Sequence, residues 1–215
     1  MLAWLKSTFQ RDTARETPIE AIRFVVLDTE LTSLDKRTNR LLSVGAIAMQ
    51  GPKIKLGEQY YRVVNPGVPF PAESVVIHKL RNQDVEQGEQ VGTCLEGVHA
   101  FIGNAVLVGH FVNVDLGILR KELGTGKHKL ENPAIDTARV HHWILRQGPY
   151  TEDLAMKLEK LDLATVAKFY GIEIDDQHHA LADAFLTAQV WQKMLHTLLK
   201  IKVSTLKKLL RIGGV

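Results

Sequence analysis

The apolar positions of the chain fall first into short runs and then into helical periods. Ile22–Leu27 (IRFVVL) is a nearly continuous apolar run, and Leu41–Met49 (LLSVGAIAM) is a second. Such runs suit strands buried on both faces. Lys53–Val64 alternates more and reads as a half-exposed third strand, joined to the second by a hairpin turn at Gly51–Lys53. Asn65–Pro71 (NPGVPFP) is an irregular connection. Val91–Ile102 reads as a helix despite Gly92 and Gly97. Ala105–His110 follows as another buried strand, and Val114–Leu123 as a helix ended by Gly124 and Gly126. Pro133–Ile135 is a short strand running into a helix that begins near Asp136. Leu163–Tyr170 is helical, with Asp162 as N-cap and Gly171 just past the end. A long helix covers His179–Leu199. Three strands with a hairpin signal, then two alternating with helices, predict an α/β fold with a mixed sheet. The predicted division is a helical N-terminal extension over 1–20, a single domain over 21–200 and a basic amphipathic tail over 201–215.

Composition narrows the class. The 215 residues are 45% hydrophobic and 24% charged, too apolar for a disordered chain and enough for a proper core. No apolar run approaches the roughly 18 residues of a membrane helix, so no membrane is expected. The lone Cys94 excludes an internal disulfide and a multi-cysteine zinc site. The opening MLAWLKSTFQRDTARE does not read as a secretory signal, and a cytoplasmic location is expected. The net charge of +3 hides an asymmetry. After Asp183 there are six basic residues and no acidic one, whereas 1–183 carries 21 basic and 24 acidic residues. A mildly acidic body does not suggest a broad surface for coating nucleic acid.

Three segments carry candidate chemistry. Asp28 and Glu30 follow directly on the first strand; two apart in extended chain, they point to one side, where ligands of α/β sheets gather. Alone, the pair is a weak signal and reads better as a turn aspartate and a solvated glutamate. Asp115 opens a helix after the buried strand and Gly109, and alone it could be simple dipole compensation. Asp183 lies early in the last long helix among Ala180, Leu181, Ala182, Ala184 and Phe185, where an unpaired carboxylate is costly to bury. A metal ion or a salt bridge would offset that cost. His178 is five residues earlier, about 500° of helix turn away, so it joins Asp183 only from a loop before the helix; Asp175–Gln177 is consistent with such a loop. Four carboxylates and a histidine suit two divalent ions, Mg²⁺ or Mn²⁺, in phosphodiester hydrolysis, with the histidine as proton acceptor.

The ordered set resembles the DEDDh 3′→5′ exonuclease family, in particular its group of the DNA polymerase III proofreading epsilon subunit and ribonuclease T. DTELTSL (Asp28–Leu34) is similar to the family's Asp-x-Glu-Thr-Thr-Gly-Leu, HFVNVD (His110–Asp115) to His-Asn-x-x-Phe-Asp, and HHALADA (His178–Ala184) to His-x-Ala-x-x-Asp-Ala. VVIHKLRNQDV (Val75–Val85), IDTARV (Ile135–Val140) and LATVAKFYGI (Leu163–Ile172) resemble intervening family segments, so the likeness runs from Arg23 to Trp191. It implies a ribonuclease H-like fold, a five-stranded mixed sheet flanked by helices, and an exonuclease domain over 21–200. It also implies that Asp28, Glu30 and Asp183 hold one metal ion, that Asp28 and Asp115 hold the second, and that His178 is the general base. Thr32, Leu34 and His78 would contact the terminal nucleotide. The implied reaction is release of nucleoside 5′-monophosphates from single-stranded 3′ ends, DNA favoured. RNA trimming, or a non-catalytic polymerase accessory or nucleic-acid-binding role, is the alternative. Leu31, Ser33, Phe111, Val114, Lys79 and Leu80 depart from the family pattern, which bears on substrate preference more than on catalysis.

Other residues have blander readings. Asp136 is expected to cap a helix, and His141 and His142, about 100° apart on a helix, make a poor metal pair. His179 is expected to face solvent or substrate, and Cys94 to pack in a helix. The tail, VSTLKKLLRIGG (Val203–Gly214), would form a helix capped by Ser204 with Leu206, Leu209 and Leu210 on one face, packed on its own domain. This tail and the N-terminal Leu2, Trp4, Leu5 and Phe9 are also candidate docking elements for a polymerase or another protein partner.

Overall fold

The computed structural model describes residues 16–33, 35–68, 80–124, 129–148, 160–174 and 178–215. The predicted N-terminal helix, the loop at Asp175–Gln177, and the side chains of Leu34 and His78 lie outside the described residues. A six-stranded mixed sheet has the order β4-β3-β2-β1-β5-β6. Its strands are β1 (Arg23–Leu31), β2 (Leu41–Gln50), β3 (Lys53–Asn65), β4 (Glu89–Gln90), β5 (Val106–Gly109) and β6 (Ala134–Asp136). β1, β2 and β3 form an antiparallel meander, and β5 and β6 continue from β1 in parallel. The helices are α1 (Asn82–Glu86), α2 (Val91–Ile102), α3 (Asn113–Leu123), α4 (Thr137–Gln147), α5 (Leu163–Phe169), α6 (Ala180–Lys200) and α7 (Leu206–Gly213). The expected five strands become six because the pair Glu89–Gln90 adds beside Val64 and Asn65. Two residues carry no periodic signal, and the five-residue α1 before them carries little more.

The apolar runs are buried on both faces, as their continuity implies. Phe24 and Val26 point to one side, into a core with Ile47, Met49 and Trp191, closed by α4, α5, α6 and α7. Phe24 and Trp191 meet edge to face at 5.6 Å. Val25 and Leu27 point to the other side, into a second core with Val44, Ala46, Cys94 and Leu116, closed by α2 and α3. The alternation continues past Leu27. Asp28 and Glu30 inherit the α6 side and Thr29 the α3 side. A register shift at Glu30/Leu31 ends the regular ladder where the carboxylates stand, a frequent use of irregular pairing.

The two ends of the described chain meet. Pro18 bridges Thr205, Ile19 N–H donates to Ser204 O, and Leu206 N–H donates to Thr17 O. Leu206 and Leu209 are buried in the α6-side core. Thr205, not Ser204, takes the N-cap position of α7, without a side-chain capping bond. Gly214 bridges Ile135, and Val215 N–H donates to Ala134 O, so the chain end lies along β6.

One contact sets where α6 begins. Asp28 pairs across the sheet with Gly45, and a Cβ on Gly45 would overlap the Ala180–Leu181 peptide at the start of α6. The helix end therefore rests on bare strand backbone, next to Asp28. Backbone against backbone cannot relax as a side chain can, so Gly45→Ala is expected to cost about 2 kcal/mol or more of stability. Urea denaturation measures this; a change under about 0.5 kcal/mol, the usual surface value, would contradict the assignment.

Candidate active site

Asp28 and Glu30 leave β1 on the α6 side, and Asp183 comes down from the first turn of α6. One carboxylate oxygen from each lies within 4.8 Å of the others. Asp183 is held by its own chain: Oδ2 accepts the backbone N–H of His178 at 2.8 Å. His178 precedes α6, which starts at Ala180, in a left-handed conformation with φ 66°. That is the loop position which lets the two residues share a site despite their spacing, and His178 is exposed there. Asp115, in the first turn of α3, is 4% exposed and lies outside the triplet. Its Oδ1 accepts the Thr29 hydroxyl at 2.7 Å. Thr29 therefore ties the α3 carboxylate to the strand residue between the two α6-side carboxylates.

The electrostatics are those of crowded like charges in a desolvated corner. Burial, followed by the charges of Asp115, Glu30 and Asp183, raises the Asp28 carboxyl well above the usual range. Burial and then the charges of Asp183 and Asp115 push Glu30 up to about 7. Burial pushes Asp115 up to about 7 although the Thr29 hydroxyl opposes the shift. Among the described residues, no lysine or arginine forms an ion pair with Asp28, Glu30 or Asp115. Hard oxygen donors that crowd and repel one another are a donor set for a divalent cation.

Other expected residues sit nearby in different roles. Thr32 is 7% exposed; its N–H donates to Arg40 O and its Oγ1 accepts Arg40 N–H at 2.9 Å, closing the loop that follows β1. Lys121 clasps the same loop through Asn39 Oδ1 and the carbonyls of Lys36, Arg37 and Asn39. Asp136 caps α4 by accepting Ala138 N–H at 2.9 Å. His110 bridges Thr137 Oγ1 at 2.8 Å and the Leu161 carbonyl. His141 is buried against Phe169 and Tyr170 while His142 is exposed, so the adjacent pair does not converge. His179, expected to face solvent or substrate, instead caps α6 by accepting Ala182 N–H and stacks on Tyr61 at 4.5 Å. Sequence reasoning missed Thr29 and Tyr61. The only available signal for Thr29 was its place between two carboxylates; Tyr61 belongs to the exposed third strand and had none.

The mixed sheet with helices on both faces is a ribonuclease H-like fold. The family model RNase_T, described as Exonuclease, matches residues 25–191, and the chain belongs to this exonuclease family. A DNA polymerase III subunit epsilon-like protein of Rhodobacter capsulatus is 31% identical over 185 residues, 85% of this chain and 25% of the relative. The DNA polymerase III subunit epsilon of Aquifex aeolicus is 28% identical over 177 residues, 81% of each chain. PolC-type DNA polymerase III proteins also match, and the chain spans only 11–14% of their length. Among solved structures, E. coli exonuclease I in complex with a dT13 oligonucleotide shares the fold with TM-score 0.68 and 19% identity, over 84% of this chain and 42% of that one. Among the described residues no helix is long and apolar enough to cross a membrane.

Carboxyls whose folded pKa lies above the unfolded value hold protons that unfolding releases. In the metal-free protein the contribution of Glu30 to stability is therefore fully present below its ordinary value of 4.5 and is lost as pH rises to about 7. Each kcal/mol is about 2–4 °C of melting temperature in a chain of this size. Thermal unfolding in EDTA is expected to drop by several such steps between pH 5 and 7.5, with Mn²⁺ restoring it at 7.5 and adding little at 5. A flat profile in EDTA would show that the carboxylates are not in conflict.

Proposed function

We propose that the protein is a metal-dependent 3′→5′ exonuclease that releases nucleoside 5′-monophosphates from single-stranded ends, DNA favoured. The reading rests on one observation: three carboxylate oxygens from β1 and α6 within 4.8 Å of one another, with Asp115 near enough to raise two of these acids. Asp28, Glu30 and Asp183 would hold one divalent ion, and Asp28 with Asp115 the second. Bound there, Mg²⁺ or Mn²⁺ supplies Lewis acidity and charge neutralisation to the phosphodiester and its attacking water.

The chain's own residues supply orientation and proton transfer. His178 stands exposed beside Asp183 and takes the proton of the attacking water on a ring nitrogen. Water adds to phosphorus, the bond to the 3′ oxygen of the preceding nucleotide breaks, and that oxygen is protonated from solvent. Thr29 fixes Asp115, which stands apart from the triplet. The DNA polymerase III epsilon relatives support DNA as substrate and a polymerase partner, and the dT13 complex of the exonuclease I neighbour supports a single strand as substrate. Thr32, Leu34 and His78 remain assigned to the terminal nucleotide, and the terminal segments to partner docking.

The test is mononucleotide release from 3′-labelled DNA and RNA strands with Mg²⁺ or Mn²⁺. Asp28→Ala and His178→Ala are each expected to lose about 10²-fold or more; activity equal to wild type in both would remove the mechanism. Thr29→Val is expected to lower kcat about tenfold through loss of one hydrogen bond to a charged group, with KM little changed.

A further inference from the structure

Between the start of α3 and one face of α4 lies a cleft of about 650 Å³. The first turn of α3 forms one wall, with Phe111, Asn113 and Val114 immediately before Asp115. The other wall is α4, which contributes Arg139, His142, Trp143 and Arg146. None of these side chains has a role in the chemistry above.

Their arrangement is specific. Arg139, His142, Trp143 and Arg146 recur at three, four and seven residues, so they share one face of α4 and spread positive charge along about 10 Å of helix axis. Phe111 and Val114 are 47% and 40% exposed, which makes them two of the few large apolar side chains at the surface. Phe111 also holds φ 55°, a left-handed conformation that a bulky aromatic residue rarely adopts. The ring packs edge-on against His110 at 4.7 Å, yet nearly half of the residue stays exposed in a cleft that Trp143, Arg139 and Arg146 also line. Asp136, the acidic residue of the lining, is spent capping α4, so the accessible charge of the cleft is cationic.

We infer that this cleft is the track that carries the single strand up to the carboxylates, with bases stacked on Phe111 and Trp143 and phosphates met by Arg139 and Arg146. The inference rests on the proposed nuclease reading and deepens it. Aromatic faces bind any base, while cationic side chains follow the phosphate backbone, so the two together hold a strand without reading its sequence. A polypeptide would answer the apolar walls but not the row of cations. The α3 wall is also next to the chemistry in the chain: Val114 directly precedes Asp115 in the first turn of the helix.

The test separates binding from catalysis. Trp143 fluorescence is titrated with a dT12 oligonucleotide in EDTA between 50 and 200 mM NaCl, using the whole chain. Wild type is expected to be quenched on binding, and Trp143→Phe, which keeps Trp4 and the fully buried Trp191, to lose the quench. By fluorescence anisotropy, Phe111→Asn, which keeps a residue tolerant of positive φ, is expected to raise Kd about tenfold through loss of one stacking contact. Arg146→Glu is expected to reduce the salt slope by about one. In hydrolysis, wild-type KM falls as the strand lengthens from two to twelve nucleotides, and this length dependence is lost in both variants. Wild-type Kd, salt slope and length dependence in both variants would overturn the track. Quenching by an apolar peptide in place of dT12 would also overturn it, in favour of a protein partner. If wild type releases no mononucleotide from any length, the nuclease reading fails, while the titration in EDTA still decides the cleft.

Discussion

The geometry of the site follows from a helix end resting on naked strand. At Gly45 the start of α6 touches backbone directly, and nothing larger than hydrogen fits between them. Because Gly45 pairs with Asp28, the helix lands beside the first carboxylate, and Asp183, in its first turn, falls next to Asp28 and Glu30. Ala180 and Ala184, both fully buried, keep the rest of that approach close. A larger residue at any of these places would lift the helix and separate the acids more effectively than removing one of them.

That proximity works against the fold. Desolvation and crowded like charges push Glu30 and Asp115 up to about 7 and Asp28 well above the usual carboxylate range, and the strain is tolerated because the flanking layers are well packed. On one side Phe24, Val26 and Trp191 anchor β1 to α6; on the other Val25 and Leu27 anchor it to α2 and α3. The two cores hold the strand from both faces up to Leu27, and the acids occupy the next residues, where the apolar sequence stops. Charge is concentrated where hydrophobic support ends and solvent begins, the usual compromise between positioning and stability.

The architecture was largely legible because long periodic segments carry their own signal. The second apolar strand, the 12-residue helix at Val91 and the long helix ending at Lys200 were each read within a residue or two, while the first strand runs four residues beyond its apolar stretch, to Leu31. The carboxylates were legible through spacing: two apart on a strand, early on a helix, and five from a histidine that had to lie in a loop, where it is found. What escaped was what depends on partners distant in sequence. β4 exists only because Val64 and Asn65 offer it an edge. His179 looked like a free neighbour of His178 because its stacking partner, Tyr61, is more than a hundred residues away. Thr29 looked like a spacer because the carboxylate it holds comes from another layer. The cleft beside α3 was invisible for the same reason: its two walls are separate helices, and only folding makes them face each other.

The division of the acids between the two layers has a consequence for how such a chain tolerates change. Asp28, Glu30 and Asp183 are governed by the α6 layer, whereas Asp115 sits on α3 and is held to the strand through Thr29, by its hydroxyl and its backbone. Remote substitutions should therefore sort by hemisphere. Those beneath α6 disturb three acids together and are felt as all-or-none loss. Those beneath α3 slide one acid relative to the others, a graded adjustment through which descendants of this sequence could drift in rate without ever losing the reaction.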